Sequence, residues 1–194
     1  MSDLDLTIIT YGEESRRAEI ALRPKIPPVI RGNISQLNDW AFELIRYLGI
    51  DVKHIDNWGC AICAKPARET HYQIASWTHL PQPKINIYVN HLCAAAGGEC
   101  HKQVIGQSQA MAAMSGMPPP PEAPLPMPSG VEMFPLAGSC AHCLKDETAA
   151  TTSAISRCSG CKMTSVNCQK NDWNRHKKVC KTVKSIRWAV WPEM

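Results

Sequence analysis

Seven residues in the C-terminal part of the chain have the types and the spacing of zinc ligands. Two C-x-x-C pairs come first, then a lone cysteine, then a histidine and a cysteine four residues apart: Cys140 and Cys143, Cys158 and Cys161, Cys168, His176 and Cys180. A C-x-x-C turn directs two thiolates at one tetrahedral ion, and an i, i+4 pair lies on one face of a helix. This pattern predicts a zinc-binding module. Asn171 or Asp172 can cap the helix, and Trp173 can pack under it.

The end of this module carries a family resemblance. Residues 168–180 read Cys-Gln-x-x-Asp-Trp-x-x-His-Lys-x-x-Cys, which resembles the C-terminal signature of MYND-type zinc fingers. Fingers of that family hold two zinc ions in an interleaved cross-brace. The resemblance implies one complete site and one incomplete site. The complete site consists of Cys158, Cys161, His176 and Cys180, and the incomplete site has three ligands, Cys140, Cys143 and Cys168.

The incomplete site departs from the family pattern. The segment between Cys161 and Cys168 is shorter than in the family, and the aromatic–Cys step that precedes the third pair is absent. His142 or Asp146 could supply the fourth ligand, or the site could hold no stable zinc. The expected cofactor is therefore Zn²⁺, with two ions in the finger if the incomplete site is occupied.

A second group of cysteines lies in the N-terminal half of the chain. Cys60, Cys63, Cys93 and Cys100 could form a separate four-cysteine zinc site and thus hold one more ion, with His91 as a competing ligand. A redox dithiol at Cys60 and Cys63 is an alternative, but the strand-then-helix context of such a motif is missing. The segment around these cysteines also resembles N-terminal modules that accompany MYND fingers in some fungal proteins.

The patterning of the remaining residues predicts the elements that position these ligands. Leu4 to Ile9 favour a short strand or extended edge, and Ile85–Val89 a second strand. A helix is predicted after a Ser35 cap and before Gly49, because its apolar residues recur at helical spacing: Leu37, Trp40, Ala41, Leu44, Ile45 and Leu48.

We therefore predict a small, metal-stabilised α+β chain. Its parts are an N-terminal mixed module with one clear helix (1–105), a Pro/Met-rich linker (106–135), a cross-brace zinc finger that ends in a short helix (136–184), and a Trp-containing tail (185–194). The linker follows from proline-rich residues that favour extended polyproline II and cannot bury a core.

The resemblance implies a function in protein interaction. MYND fingers dock short proline-containing peptides of partner proteins, often in transcriptional regulation, and Trp173 and Gln169 are the residues we expect to line such a groove. A preformed polyproline-like ligand loses little entropy on docking. The alternative is nucleic-acid binding, because Lys and Arg cluster between Arg157 and Arg187 with Asp172 as the sole acid.

Composition and motifs argue against other classes of protein. The sequence shows no P-loop, no G-x-G-x-x-G and no Ser/His/Asp set, so we expect no enzyme. Its N-terminus lacks the pattern of a signal peptide, and no apolar run has the length of a membrane span. We therefore expect an intracellular protein of nucleus or cytoplasm, in which reduced cysteines bind metal rather than form disulfides.

Overall fold

The computed structural model describes residues 3–93, 98–114, 116, 135–141, 143, 145–150 and 169–190. Its centre is a five-stranded sheet in the order β3-β4-β1-β2-β5. The strands are β1 (Asp5–Tyr11), β2 (Arg16–Leu22), β3 (Glu69–Trp77), β4 (Lys84–Leu92) and β5 (Val183–Val190). Neighbouring strands are antiparallel except β1 and β4, which are parallel. The prediction of a small α+β chain is confirmed.

One face of the sheet forms the core together with helix α1 (Ile34–Lys53). Alternate residues of the central strands, including Leu6, Ile8, Ile20 and Ile87, are almost completely buried. Helix α1 covers them with the stripe that its spacing predicts, since Leu37, Ala41, Ile45 and Leu48 are buried and Trp40 and Leu44 pack against the same cluster. The strand predicted at the N-terminus is central, because both of its edges pair with other strands.

Helix α1 differs from the prediction at both ends. Asn33 rather than Ser35 caps it, because the Asn33 Oδ1 accepts a hydrogen bond from the Gln36 N–H at 3.1 Å. The helix also continues past Gly49 to Lys53. Burial of Val52 and the ion pair of Asp51 outweigh the roughly 1 kcal/mol that a helical glycine costs.

Helix α2 (Glu99–Met114) lies on the opposite face, over β3. Gln73 of β3 is hydrogen-bonded to Ser108 of this helix, and the His71 and His101 rings meet edge to face at 5.3 Å. Because α2 ends at Met114, the first part of the predicted linker is helical rather than extended. The proline-rich residues 118–128 lie outside the described residues.

Residues 185–190 of the predicted tail are part of the sheet, and residues 191–194 lie outside the described residues. Strand β5 pairs antiparallel with β2 over its whole length, and Ile186 lies opposite Ile20. Helix α4 (Gln169–Cys180) leads directly into this strand, after a turn in which the Thr182 N–H donates to the Val179 carbonyl. The last helix of the zinc module is therefore tied to the N-terminal sheet by the chain that follows it.

Candidate metal centres

Three separate parts of the N-terminal module bring four cysteines together. Cys60 and Cys63 lie in a tight turn that is closed by the Cys60 N–H donating to the Lys65 carbonyl at 2.7 Å. Cys93 directly follows strand β4, and Cys100 lies in the first turn of α2. We refer to these four residues as the four-cysteine cluster. The sheet and α2 thus place at one point residues that are far apart in the sequence.

The geometry of the four-cysteine cluster fits a tetrahedral zinc ion. All four Sγ atoms lie within 4.8 Å of one another. The Sγ atoms of Cys63 and Cys93 are 3.5 Å apart, and those of Cys93 and Cys100 are 3.8 Å apart. A zinc–sulfur bond of about 2.3 Å implies sulfur–sulfur edges of roughly 3.8 Å in a regular tetrahedron. The donor set and its dimensions therefore match a closed structural site.

The electrostatics of the cluster also favour a cation. A hydrogen bond from the Lys65 backbone lowers the pKa of Cys63 to about 7. The hydrogen bond with the Cys63 thiol raises the pKa of Cys100 to about 12. Because one thiolate suppresses ionisation of the next, a cation between the four sulfur atoms would favour their thiolate forms.

His91 does not compete for this site. It is completely buried, and its Nε2 lies 2.7 Å from the Thr10 Oγ1. Its ring stacks on Trp58 with centroids 4.6 Å apart. His91 lies within strand β4 and is buried in the core, whereas Cys93 lies past the end of the strand, and the group of four sulfur ligands does not include His91. The prediction of His91 as a competing ligand is therefore wrong.

Trp58 is a core residue close in sequence to the four-cysteine cluster, and no sequence motif singled it out. It lies two residues before Cys60, is 2% exposed, and packs between His91 and Trp188 of β5. The guanidinium of Arg16 lies 5.0 Å from the Trp58 ring centre. The Trp-containing tail thus supplies a ring to the N-terminal core.

The start of the zinc module packs on the same N-terminal surface. The Ala137 N–H donates to the Ala67 carbonyl at 2.8 Å, and the Asn57 side chain donates to the Ala149 carbonyl at 2.8 Å. Ala149 belongs to the short helix α3 (Glu147–Ala150). Ser139 lies beside His54, which is buried. Burial and the charge of Lys53 lower the pKa of His54 to about 3. His54 is therefore a neutral contact in this junction.

Gly138 makes the closest approach in this junction. Its φ is +79°, and a Cβ there would clash with the Asn57 Oδ1 and lie 2.8 Å from the Asn57 backbone nitrogen. Gly138→Ala should therefore lower the free energy of unfolding more than Gly32→Ala, which has a φ of +81° but open space around it. We expect about 1–2 kcal/mol for the backbone strain at Gly32 and a further ~1–3 kcal/mol for the clash at Gly138. Urea denaturation of both variants measures the difference, and equal losses would contradict the close approach.

The structure places four of the predicted finger ligands and leaves the others outside its described residues. Cys140 is buried, Cys143 is half-buried, and His176 and Cys180 lie one turn apart on α4. Cys158, Cys161 and Cys168 lie outside the described residues, as does His142. The ligand sets of the two predicted finger sites therefore stay predictions.

Asp146 does not fit the role of a fourth ligand at the incomplete site. Its Oδ2 lies 2.8 Å from the Arg68 Nη2, and its Oδ1 accepts a hydrogen bond from the Leu136 N–H at 2.9 Å. These two donors hold the pKa of Asp146 below its usual value. Both carboxylate oxygens bind protein donors, and the pair with Arg68 fastens the module to the loop that precedes β3.

Helix α4 is anchored to α1 through a buried carboxylate. The Asp51 side chain is 2% exposed and accepts two hydrogen bonds from Arg175, at 2.5 and 3.0 Å. Its Oδ1 also lies 3.4 Å from the Nδ1 of His176. Burial raises the pKa of Asp51, but the hydrogen bonds from His176 and Arg175 outweigh it, and the pKa lies below its usual value. The carboxylate is thus charged and fully partnered.

Trp173 lies on the outer surface of α4, next to the buried His176. Trp173 is 45% exposed, and its ring centre lies 6.1 Å from that of His176. The Gln169 backbone starts the helix, but its side chain lies outside the described residues. Trp173 therefore presents an exposed indole close to a predicted zinc ligand.

The basic residues of this region are partly used within the chain. Arg175 pairs with Asp51, and Arg187 pairs with Glu19 of β2. Lys178, Lys181 and Lys184 are exposed. Fewer positive charges are therefore available to bind a nucleic acid than the sequence indicates.

The C-terminal segment can now be compared with known families. Residues 140–180 match the MYND finger. The match covers that segment alone, and it confirms the predicted MYND-type zinc finger. No curated protein and no solved structure matches the chain, so the likeness of the N-terminal module to fungal proteins stays a prediction. Together with the four-cysteine cluster, the MYND finger makes this a metal-binding chain.

Helix α4 is the C-terminal helix of the MYND finger, and strand β5 begins just past its end. The finger therefore lies between two contributions to the N-terminal fold: the junction around Ala137 before it and β5 after it. None of the helices among the described residues combines the length and the apolar character needed to cross a membrane.

Proposed function

We propose that the protein is a zinc-built interaction adaptor whose MYND finger docks short proline-containing peptides of partner proteins. MYND fingers generally mediate protein interactions, and residues 140–180 match that family. The observation that supports this surface for docking is the half-exposed indole of Trp173 on the finger's last helix. Indoles are enriched at binding hot spots because they offer a large apolar face with one hydrogen-bond donor.

Helix α4 presents this indole in a fixed orientation. The ion pair of Arg175 with Asp51 and the burial of Val179 hold the other side of the helix against the N-terminal module. A preorganised surface loses little conformational entropy on binding, and a polyproline II peptide is itself stiff. Both partners would therefore dock at a low entropic cost.

Trp173→Ala should weaken binding of a proline-containing peptide by about 10–30-fold, the range expected for loss of a hot-spot side chain. The measurement is calorimetric titration of the zinc-loaded full chain with peptides selected from a proline-containing library. Trp77→Ala is the matched control, because Trp77 is 37% exposed but lies at the end of β3. An unchanged affinity in the Trp173 variant, or the same loss in both variants, would place docking elsewhere.

The alternative function is nucleic-acid binding. It would use the exposed lysines Lys178, Lys181 and Lys184. Each phosphate contact releases counterions, so the affinity would fall steeply with salt. We favour the adaptor because Arg175 and Arg187 are already paired within the chain. A role in transcription, an intracellular location and the absence of catalysis stay predictions.

A further inference from the structure

A residue outside the MYND finger contacts one of its predicted zinc ligands. Asp51 lies in the last turn of α1, and its Oδ1 is 3.4 Å from the Nδ1 of His176. Both side chains are buried, with 2% and 5% of their surface exposed. A histidine ligand commonly donates its second ring N–H to a carboxylate, which fixes the tautomer and the orientation of the ring.

We infer that Asp51 is a positioning residue for the zinc of the MYND finger. The carboxylate accepts the Nδ1–H of His176 and thereby leaves the Nε2 as the nitrogen that binds the metal. The inference concerns the metal of the finger and does not depend on which partner the adaptor binds. On this inference, the N-terminal module supplies a residue that orients a zinc ligand of the finger at residues 140–180.

The surroundings of Asp51 support this role. A carboxylate near the C-terminal end of a helix meets the negative end of the helix dipole and is unfavourable there without partners. Arg175 supplies the compensating charge through two hydrogen bonds to the carboxylate. With its charge compensated, the carboxylate can accept the Nδ1–H of His176 at its Oδ1.

The position of the interaction argues for more than an anchor. Arg175 alone would hold α4 on α1, since its two bonds to Asp51 are the shorter ones. The additional contact of Asp51 is made with the predicted ligand, one helix turn before Cys180. The same carboxylate thus fixes the helix and the ligand that the helix carries.

The test compares four zinc-loaded full-length proteins: wild type, Asp51→Ala, Asp51→Asn and Arg175→Gln. Chelator competition measures the zinc affinities, and ¹⁵N spectra of the histidine rings report the His176 tautomer and its Nδ1–H. We expect Asp51→Ala to weaken one bound zinc by about 10–100-fold and to lose the Nδ1–H signal. Asp51→Asn keeps an acceptor and should lie between Asp51→Ala and wild type. Arg175→Gln should lower stability but keep the Nδ1–H signal.

Glu43→Gln is the control, because Glu43 lies on the same helix α1 and forms its ion pair with Arg46 within that helix. It should leave every zinc affinity unchanged. Unchanged zinc affinity and an unchanged ring spectrum in Asp51→Ala would overturn the inference, since a simple anchor changes only the unfolding free energy. Equal loss of zinc affinity in Arg175→Gln and Asp51→Ala, or a wild-type spectrum without Nε2 bound to zinc, would also overturn it.

Discussion

Cys63→Ser should remove the zinc ion of the four-cysteine cluster and lower the melting temperature of the protein, but less than a chelator does, because a chelator also removes zinc from the MYND finger. Cys63 is the exposed member of the cluster, so serine fits there without strain and its effect reports the lost thiolate. Structural zinc contributes binding free energy of about 10–16 kcal/mol in zinc-finger peptides. Loss of a cysteine ligand should therefore weaken zinc binding by more than the roughly 10–100-fold that is lost when a residue hydrogen-bonded to a ligand is mutated.

Native mass spectrometry counts the zinc ions, and thermal unfolding with and without chelator measures their contribution to stability. Ala61→Ser is the control, because it adds a hydroxyl beside Cys60 and removes no thiolate. Hydrogen exchange should rise in Cys63→Ser around the turn at residues 60–63 and the start of α2, which the metal would join. The same zinc count and the same melting temperature as in wild type would exclude the cluster as a metal site.

Trp58→Ala should lower the free energy of unfolding by about 3–5 kcal/mol, the usual cost of truncating a buried aromatic side chain to alanine. The indole is 2% exposed and stacks between His91 and Trp188, at 4.6 and 5.5 Å. Its removal leaves a cavity under the β2–β5 edge and releases Arg16 from the ring. The loss therefore reaches both the core and the strand that follows the MYND finger.

Chemical denaturation of the zinc-loaded protein measures this effect. Trp77→Ala, at a 37% exposed indole, is the control and should cost much less. Zinc content must be measured in parallel, because Trp58 lies two residues before Cys60. A loss in Trp58→Ala no larger than in Trp77→Ala would show that the stack contributes little to stability.

The sequence alone determined the features that depend on local spacing. A helical stripe predicts α1, because residues three and four apart share a face and must be buried together. The MYND finger was recognisable for the same reason, since its C-x-x-C turns and its i, i+4 pair are local motifs. Even so, the cap at Asn33 and the extension past Gly49 depended on contacts made outside the helix.

Only the tertiary structure decided which distant residues meet. The 30-residue gap between Cys63 and Cys93 carries no local signal, and it is closed by the turn after α1 and the end of β4. The contact of Asp51 with His176 and the pairing of β5 with β2 likewise join the two ends of the chain. Such pairings depend on the burial of apolar faces and of compensated charge over the whole fold. A window of neighbouring residues does not contain that information.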